Sequence, residues 1–330
     1  MKQNLDAAGL RDPGLRTAYA ACETFLRRRN SAAYPAARSL LPPGRRPYWD
    51  AILAFTTYVD DLLDDPAVPV EERAASYDGY TRRFRLRAEG REPWPDPPDE
   101  GALLARAFAD FTATWRIPGA SVHLFLDTIR TDLHVTQYPT FDDLSRYITG
   151  VCVQGSQWGG VLFNPRDERA AAAAASAMSF GLQLTDYLDD LREDLADGRL
   201  YLPLEDLDRF GLCRAEVERA AETATMTPRL RELVRFQLHR ARAYLDEAAR
   251  WRPLVHPSMR ELPRQYVALA RAETDRIARD DYDVFHPSRR RRATAAVRAA
   301  AALGAARVRA RASRLSHAVP VPPTATGERS

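Results

Sequence analysis

Apolar residues recur at intervals of three and four over most of this chain, and β-branched runs or strict alternation are scarce. That period predicts helices nearly throughout, so the expected fold class is all-α, a bundle of helices. From Pro47, which suits a first helical turn, Ile52, Phe55, Val59 and Leu63 make one amphipathic stripe. A second helix runs from about Tyr77 to near Gly90, and four prolines make residues 91–101 a loop. Further helices are predicted over 102–115, 122–137 and 141–163, with Pro118 and Pro139 between them. The alanine-rich stretch after Asp167 has the highest helix propensity in the chain, and Gly198 ends it. Segments 214–223, 228–251, 257–281 and 288–316 complete the expected set. The predicted organisation is a flexible N-terminus (1–13), a single domain (14–316) and a disordered tail (317–330).

Composition narrows the class without naming a chemistry. With 330 residues, 45% apolar content and a mean hydropathy of −0.42, the chain can bury a substantial core and is too polar for an integral membrane protein. No basic-then-apolar leader pattern opens it, so a cytoplasmic location is expected. Cys22, Cys152 and Cys213 are odd in number and far apart, which argues against a disulfide framework or a paired zinc site. Net charge is +3, yet between Asp283 and Glu328 there are nine arginines and no acid. Such a segment reads first as solvated surface, with peripheral membrane contact as the most it implies. Nucleic-acid binding is not expected, because no recognised module or aromatic platform accompanies the arginines.

Two acidic segments carry the candidate chemistry. In Y-V-D-D-L-L-D-D, from Tyr58 to Asp65, Asp60 with Asp64 and Asp61 with Asp65 are spaced four apart on a predicted helix. In L-T-D-Y-L-D-D-L-R-E-D, from Leu184 to Asp194, Asp186, Asp190 and Asp194 repeat that spacing, and Asp189 with Glu193 makes a neighbouring pair. Each like-charge pair costs an isolated helix roughly 0.2 to 0.5 kcal/mol, so either solvent or a cation is expected beside it. One such cluster reads equally well as a solvated helix face, but two clusters beside Tyr58, Leu62, Tyr187 and Leu191 favour a metal. Carboxylates without histidine or thiolate neighbours suit magnesium, which keeps waters and substrate phosphates in its octahedron. A magnesium-bound diphosphate is a good leaving group, so the expected reaction is ionisation of an allylic diphosphate near aromatic side chains.

The segment Q-L-T-D-Y-L-D-D-L-R-E-D-L-A-D-G-R-L-Y-L-P, Gln183 to Pro203, resembles the second aspartate motif of the squalene and phytoene synthase family with its following R-x-Y-x-P. The first aspartate motif is similar at Asp60 to Asp64, and N-S-A-A-Y, Asn30 to Tyr34, loosely matches the family's H-S-x-S-F. The resemblance implies an isoprenoid synthase bundle with a central cavity, and magnesium held by Asp60, Asp64, Asp190 and Asp194. It implies substrate contacts from Asn30, Tyr34, Thr57, Tyr147, Gln183, Arg199 and Arg289, with Tyr201 among the catalytic residues. The chain departs from the family pattern where two arginines are usual, at Thr57 and Asp189, and where an asparagine is usual, at Asp186. Head-to-head condensation needs cations for two diphosphates. The expected second substrate is therefore a non-isoprenoid aromatic acceptor, carbazole-like by analogy, with Asp189 or Asp186 as its base or orienting group. The alternative is a head-to-head squalene or phytoene synthase, or a terpene cyclase, acting on prenyl diphosphates alone.

Overall fold

Helices account for the regular structure of the computed structural model, which describes residues 1–29, 33–286 and 289–321, with side chains in the last segment from residue 296 onward. The first group is α1 (Lys2–Ala7), α2 (Pro13–Arg28), α3 (Ala33–Leu40), α4 (Arg46–Asp64), α5 (Val70–Ala88) and α6 (Glu100–Thr114). The middle group is α7 (Gly119–Ile129), α8 (Phe141–Ile148), α9 (Gln154–Val161), α10 (Glu168–Asp189) and α11 (Leu191–Ala196). The last group is α12 (Leu204–Arg209), α13 (Arg214–Glu222), α14 (Pro228–Ala248), α15 (Trp251–Leu254), α16 (Glu261–Arg279) and α17 (Arg289–Ser316). No strand forms among the described residues, and a single isolated bridge joins Gln137 to Leu200.

The predicted stripe of α4 is the spine of the core. Ile52, Phe55, Val59 and Leu63 are buried, and Phe55 stacks on Phe108 of α6 with ring centroids 4.1 Å apart. Small residues let α10 approach α14 closely: a Cβ on Gly181 would lie 2.6 Å from Leu245 Cδ2. These two packings hold the C-terminal ends of α4 and α10 in place, and both ends are acidic.

Two predicted helices are interrupted for identifiable reasons. The predicted helix 122–137 stops at Ile129 and tightens into a 3₁₀ turn, Arg130–Leu133, because the following backbone pairs elsewhere: the Leu200 N–H donates to the Thr136 carbonyl at 2.8 Å. The predicted helix 141–163 is interrupted by a π-turn, Thr149–Val153, where Gly150 packs so tightly on Thr128 that any Cβ would collide with it. Residues 1–13, expected to be flexible, include α1 with Leu5 buried, and Leu10 is buried beyond it. At the other end Arg45 donates to the Pro320 carbonyl at 3.0 Å, so the start of the expected tail is attached; residues 322–330 lie outside the described residues.

Beneath α3 lies a buried ionic cluster. Arg38 Nε donates to Asp50 Oδ1 at 2.8 Å and its Nη2 donates to Glu23 Oε2 at 2.8 Å, while the Tyr34 hydroxyl donates to Asp50 Oδ1 at 2.8 Å. Asp50 is fully buried and Arg38 nearly so. Arg38→Ala leaves buried Asp50 without its cation, holding only the Tyr34 hydroxyl, and leaves Glu23 to Arg27, so it is expected to destabilise the fold by about 3 kcal/mol in a urea denaturation series.

Candidate active site

The helix geometry makes each acidic cluster unfavourable by itself. Asp60, Asp61 and Asp64 occupy the C-terminal end of α4, and Asp186 and Asp189 that of α10; neither last turn contains a basic residue. Carboxylates at the negative end of a helix dipole are destabilising as well as mutually repulsive. Asp190 breaks α10 from α11, which carries Asp194, so the second motif is not one continuous helix. The interruption is shallow, since the Asp190 N–H still donates to the Asp186 carbonyl and the Asp194 N–H to that of Asp190. The predicted spacing of Asp186, Asp190 and Asp194 therefore survives.

Arg199 lies between the two motifs, with its backbone N–H donating to the Asp194 carbonyl at 2.8 Å and its charge opposing the rise of the Asp194 pKa. Its Nη2 reaches Asp64 Oδ1 at 3.2 Å and the Asp132 carbonyl at 3.5 Å. Burial works against its charge, but Tyr201, Asp132 and Asp64 outweigh burial and raise its pKa. One guanidinium does not neutralise the site. Burial, then Asp64 and Asp132, push Asp60 up to about 7. Burial and the Asp190 carboxylate do the same to Asp186 and to Asp194, each to about 7. Asp132 rises to about 6, chiefly by burial, although the Tyr147 hydroxyl donates to its Oδ2 at 2.8 Å. Half-buried carboxylates in this state are not a solvated helix face.

Beside the carboxylates stands a group of tyrosines. Tyr187 and Tyr201 stack with centroids 4.1 Å apart and planes 3° from parallel. Tyr138 lies 5.4 Å from Tyr147 and 6.0 Å from Tyr201. Gln183 borders the same group and accepts from the Cys152 thiol at 3.4 Å. Aromatic faces packed this closely next to an anionic site can stabilise a cation.

The remaining predicted residues are placed differently. Thr57 is half-buried one turn before Asp60, and its side chain makes no hydrogen bond among the described residues. Tyr34 is committed to the buried Asp50 rather than to the acidic site. Asn30 and the side chain of Arg289 lie outside the described residues. Asp189 pairs with Arg276 of α16, which also binds Glu273. Asp132, Tyr138 and Arg276 went unrecognised in the sequence: Asp132 falls inside a segment that reads as continuous helix, and the other two meet the site only through tertiary packing.

Comparison with known proteins places this arrangement. The family model described as squalene/phytoene synthase matches residues 27–310. The chain belongs to the squalene/phytoene synthase family. This is a family of prenyltransferases. Among its relatives, the bifunctional protein CrtB/UppS of Streptomyces coelicolor is 34% identical over 206 residues, which cover 62% of this chain and 34% of that protein. The chain thus spans about a third of that relative's length. The phytoene synthase of Arthrospira platensis is 28% identical over 268 residues, covering 75% of this chain and 80% of that one. The solved squalene synthase HpnC from Alicyclobacillus acidocaldarius superposes with a TM-score of 0.70 at 24% identity, over 84% of this chain and 99% of that one, a likeness of fold.

The chemistry of these side chains suits a divalent cation. Among the described residues no three acidic, histidine or cysteine side chains converge to cage a metal by themselves. Magnesium does not require such a cage, since one or two carboxylates suffice when phosphate oxygens and water complete the octahedron. The all-oxygen donor set is suited to that mode of binding.

The raised carboxylates also set a pH dependence. Asp60, Asp186 and Asp194 are protonated more readily in the folded chain than in the unfolded one. Their contribution to stability is therefore present near pH 4 and is lost as pH rises through about 7. Thermal denaturation of metal-free protein is expected to give a melting temperature that falls from pH 5 to pH 8 by several degrees, and magnesium with inorganic diphosphate is expected to reverse the fall.

Proposed function

We propose that this chain ionises an allylic prenyl diphosphate with magnesium and joins the resulting cation to a second prenyl diphosphate, a head-to-head condensation of the squalene or phytoene type. The observation that carries the ionisation step is Arg199 set between the Asp64 carboxylate of the first motif and Asp194 of the second, next to the stacked tyrosines. Family membership and the phytoene synthase activity of the Arthrospira platensis relative support the choice of second substrate. Asp60, Asp64, Asp190 and Asp194 would hold the metal, and Arg199 stands where it can meet a phosphate oxygen. Bound magnesium supplies the withdrawal of charge that lets the carbon to oxygen bond break. The stacked Tyr187 and Tyr201 would place aromatic side chains beside the nascent cation, while Asp132 holds the Tyr147 hydroxyl in a fixed orientation.

A second reading keeps the ionisation step and changes the acceptor to a non-isoprenoid aromatic ring of carbazole type. It is favoured by Asp189, an acid where the family usually carries an arginine, and by Thr57, a neutral residue at the other such position. The Arg276 pairing offsets the Asp189 charge, which weakens this reading and leaves Asp186 as its better base.

Purified protein with magnesium and labelled dimethylallyl, geranyl, farnesyl and geranylgeranyl diphosphates separates the two readings. Labelled hydrocarbon formed from prenyl diphosphate alone is the expected result. Label that leaves the diphosphate only when a carbazole is supplied would replace it with the second reading.

A further inference from the structure

Among the described residues three arginines are buried. Arg38 and Arg276 lie against carboxylates, whereas Arg45, only 1% exposed, meets no acid. It stands at the head of α4, whose first turn likewise holds no acid. A cation at the positive end of a helix is unfavourable unless an anion joins it. Arg45 Nε donates to the Leu162 carbonyl and Nη2 to the Pro320 carbonyl, both at 3.0 Å, and the guanidinium lies 4.6 Å over the Trp115 ring. Nη1 is buried and has no acceptor. Burial without a neighbouring carboxylate pulls Arg45 down to about 10. A buried charged donor left without an acceptor costs more than an ordinary hydrogen bond contributes.

Three chain segments gather further positive charge around Arg45. The His256 N–H donates to the Phe163 carbonyl at 3.1 Å, the Arg166 N–H to the Leu254 carbonyl at 2.9 Å, and Ser313 Oγ to the Pro257 carbonyl at 2.9 Å. The His256 and His317 rings lie edge to face at 6.4 Å. Burial, then His317, Arg166, Arg260 and Arg45, lower the His256 pKa, and no acid stands among those influences. The acids next in sequence are engaged elsewhere: Asp167 caps α10 through the Ala170 N–H, and Glu261 holds Arg264 and Arg309. Arg166 and Arg260 enter no ion pair among the described residues.

We infer that Arg45, Arg166, His256, Arg260 and His317 form a binding site for a small phosphate-type oxyanion, free in solution. Exposure is graded across the group, from exposed Arg166 and His317 through half-buried Arg260 and His256 to Arg45, which places Arg45 at the base of the site. Guanidinium forks match tetrahedral oxyanions, and a dianion accepts from several donors at once. A nucleic acid or a lipid headgroup would meet only the exposed Arg166 and His317, because the Pro320 carbonyl covers Arg45.

The site is independent of the reaction proposed above. Arg45 and the acidic Asp64 stand at opposite ends of α4, whose 19 residues span about 28 Å. A bound oxyanion would tie the segments 162–166, 254–260 and 313–320 to the head of α4, so its binding registers as stability of the whole chain.

Thermal melts and isothermal titration of the full chain with inorganic phosphate, without magnesium, test the inference. Omitting the metal leaves the acidic site repelling anions. Phosphate at about 10 mM is expected to raise the melting temperature by about 3 °C or more over sodium chloride of equal ionic strength, and to titrate as one site per chain. Arg166→Glu, at an exposed position, is expected to weaken phosphate binding by about tenfold or more with an unchanged circular dichroism spectrum, and Arg260→Gln to weaken it as well. Arg298→Gln with Arg311→Gln, on the exposed side of α17, is expected to leave it unaltered. Equal melting temperatures in phosphate and chloride, or an affinity that survives Arg166→Glu, would overturn the proposal. So would an equal loss in the α17 variant, which would mark a general attraction of the arginine-rich surface.

Discussion

Asp60→Asn and Asp190→Asn each lower diphosphate release by about 10³-fold or more while the protein stays folded. The two residues belong to different acidic helix ends, yet the expected losses are alike, because a diphosphate held by magnesium needs carboxylates on both sides. Folding is spared for a physical reason. Asp60 is pushed up to about 7 by burial and by Asp64 and Asp132, so its charged form is destabilising in the metal-free chain. A neutral amide of the same shape relieves that repulsion and raises the melting temperature of metal-free Asp60→Asn at pH 8. Release of inorganic diphosphate from a labelled prenyl diphosphate, measured beside a thermal melt, checks both halves. Unchanged turnover in either variant removes the metal assignment.

Arg199→Met has the second largest expected effect, a loss of turnover of about 10²-fold or more. Arg199 is the cation that both acidic ends share, through its 3.2 Å contact with Asp64 and its field on Asp60 and Asp194. Its removal lets Asp60 and Asp194 hold their protons to higher pH. Activity requires them ionised, so the acidic limb of the kcat/KM profile moves to higher pH in Arg199→Met. Arg199→Lys keeps a positive charge without the forked geometry and is expected to restore the limb more fully than the turnover. A profile with its limb unmoved would confine Arg199 to a structural part.

Some of this was legible in the order of residues alone. The three-and-four spacing of Ile52, Phe55, Val59 and Leu63 needs only helical periodicity, and those side chains are buried as expected. The i, i+4 aspartates are likewise a local property, which survives even the break at Asp190 because the backbone hydrogen bonds continue across it. What depends on distant packing was not legible. Asp132 enters the site because the chain turns after Ile129 to pair Gln137 with Leu200. What Asp189 faces is set by α16, which places Arg276 against it. Tyr34 resembled a substrate contact by motif, and the structure ties it to Asp50.

The sequence by itself determined the helical class, the two aspartate motifs and their kinship with the squalene/phytoene synthases, because periodicity and short motifs are written in neighbouring residues. Tertiary structure alone decided that Arg199 stands between the two acidic motifs and that four tyrosines gather beside them. Those outcomes depend on which helix surfaces come together, and contacts between residues far apart in the chain are set by the packing of the whole core.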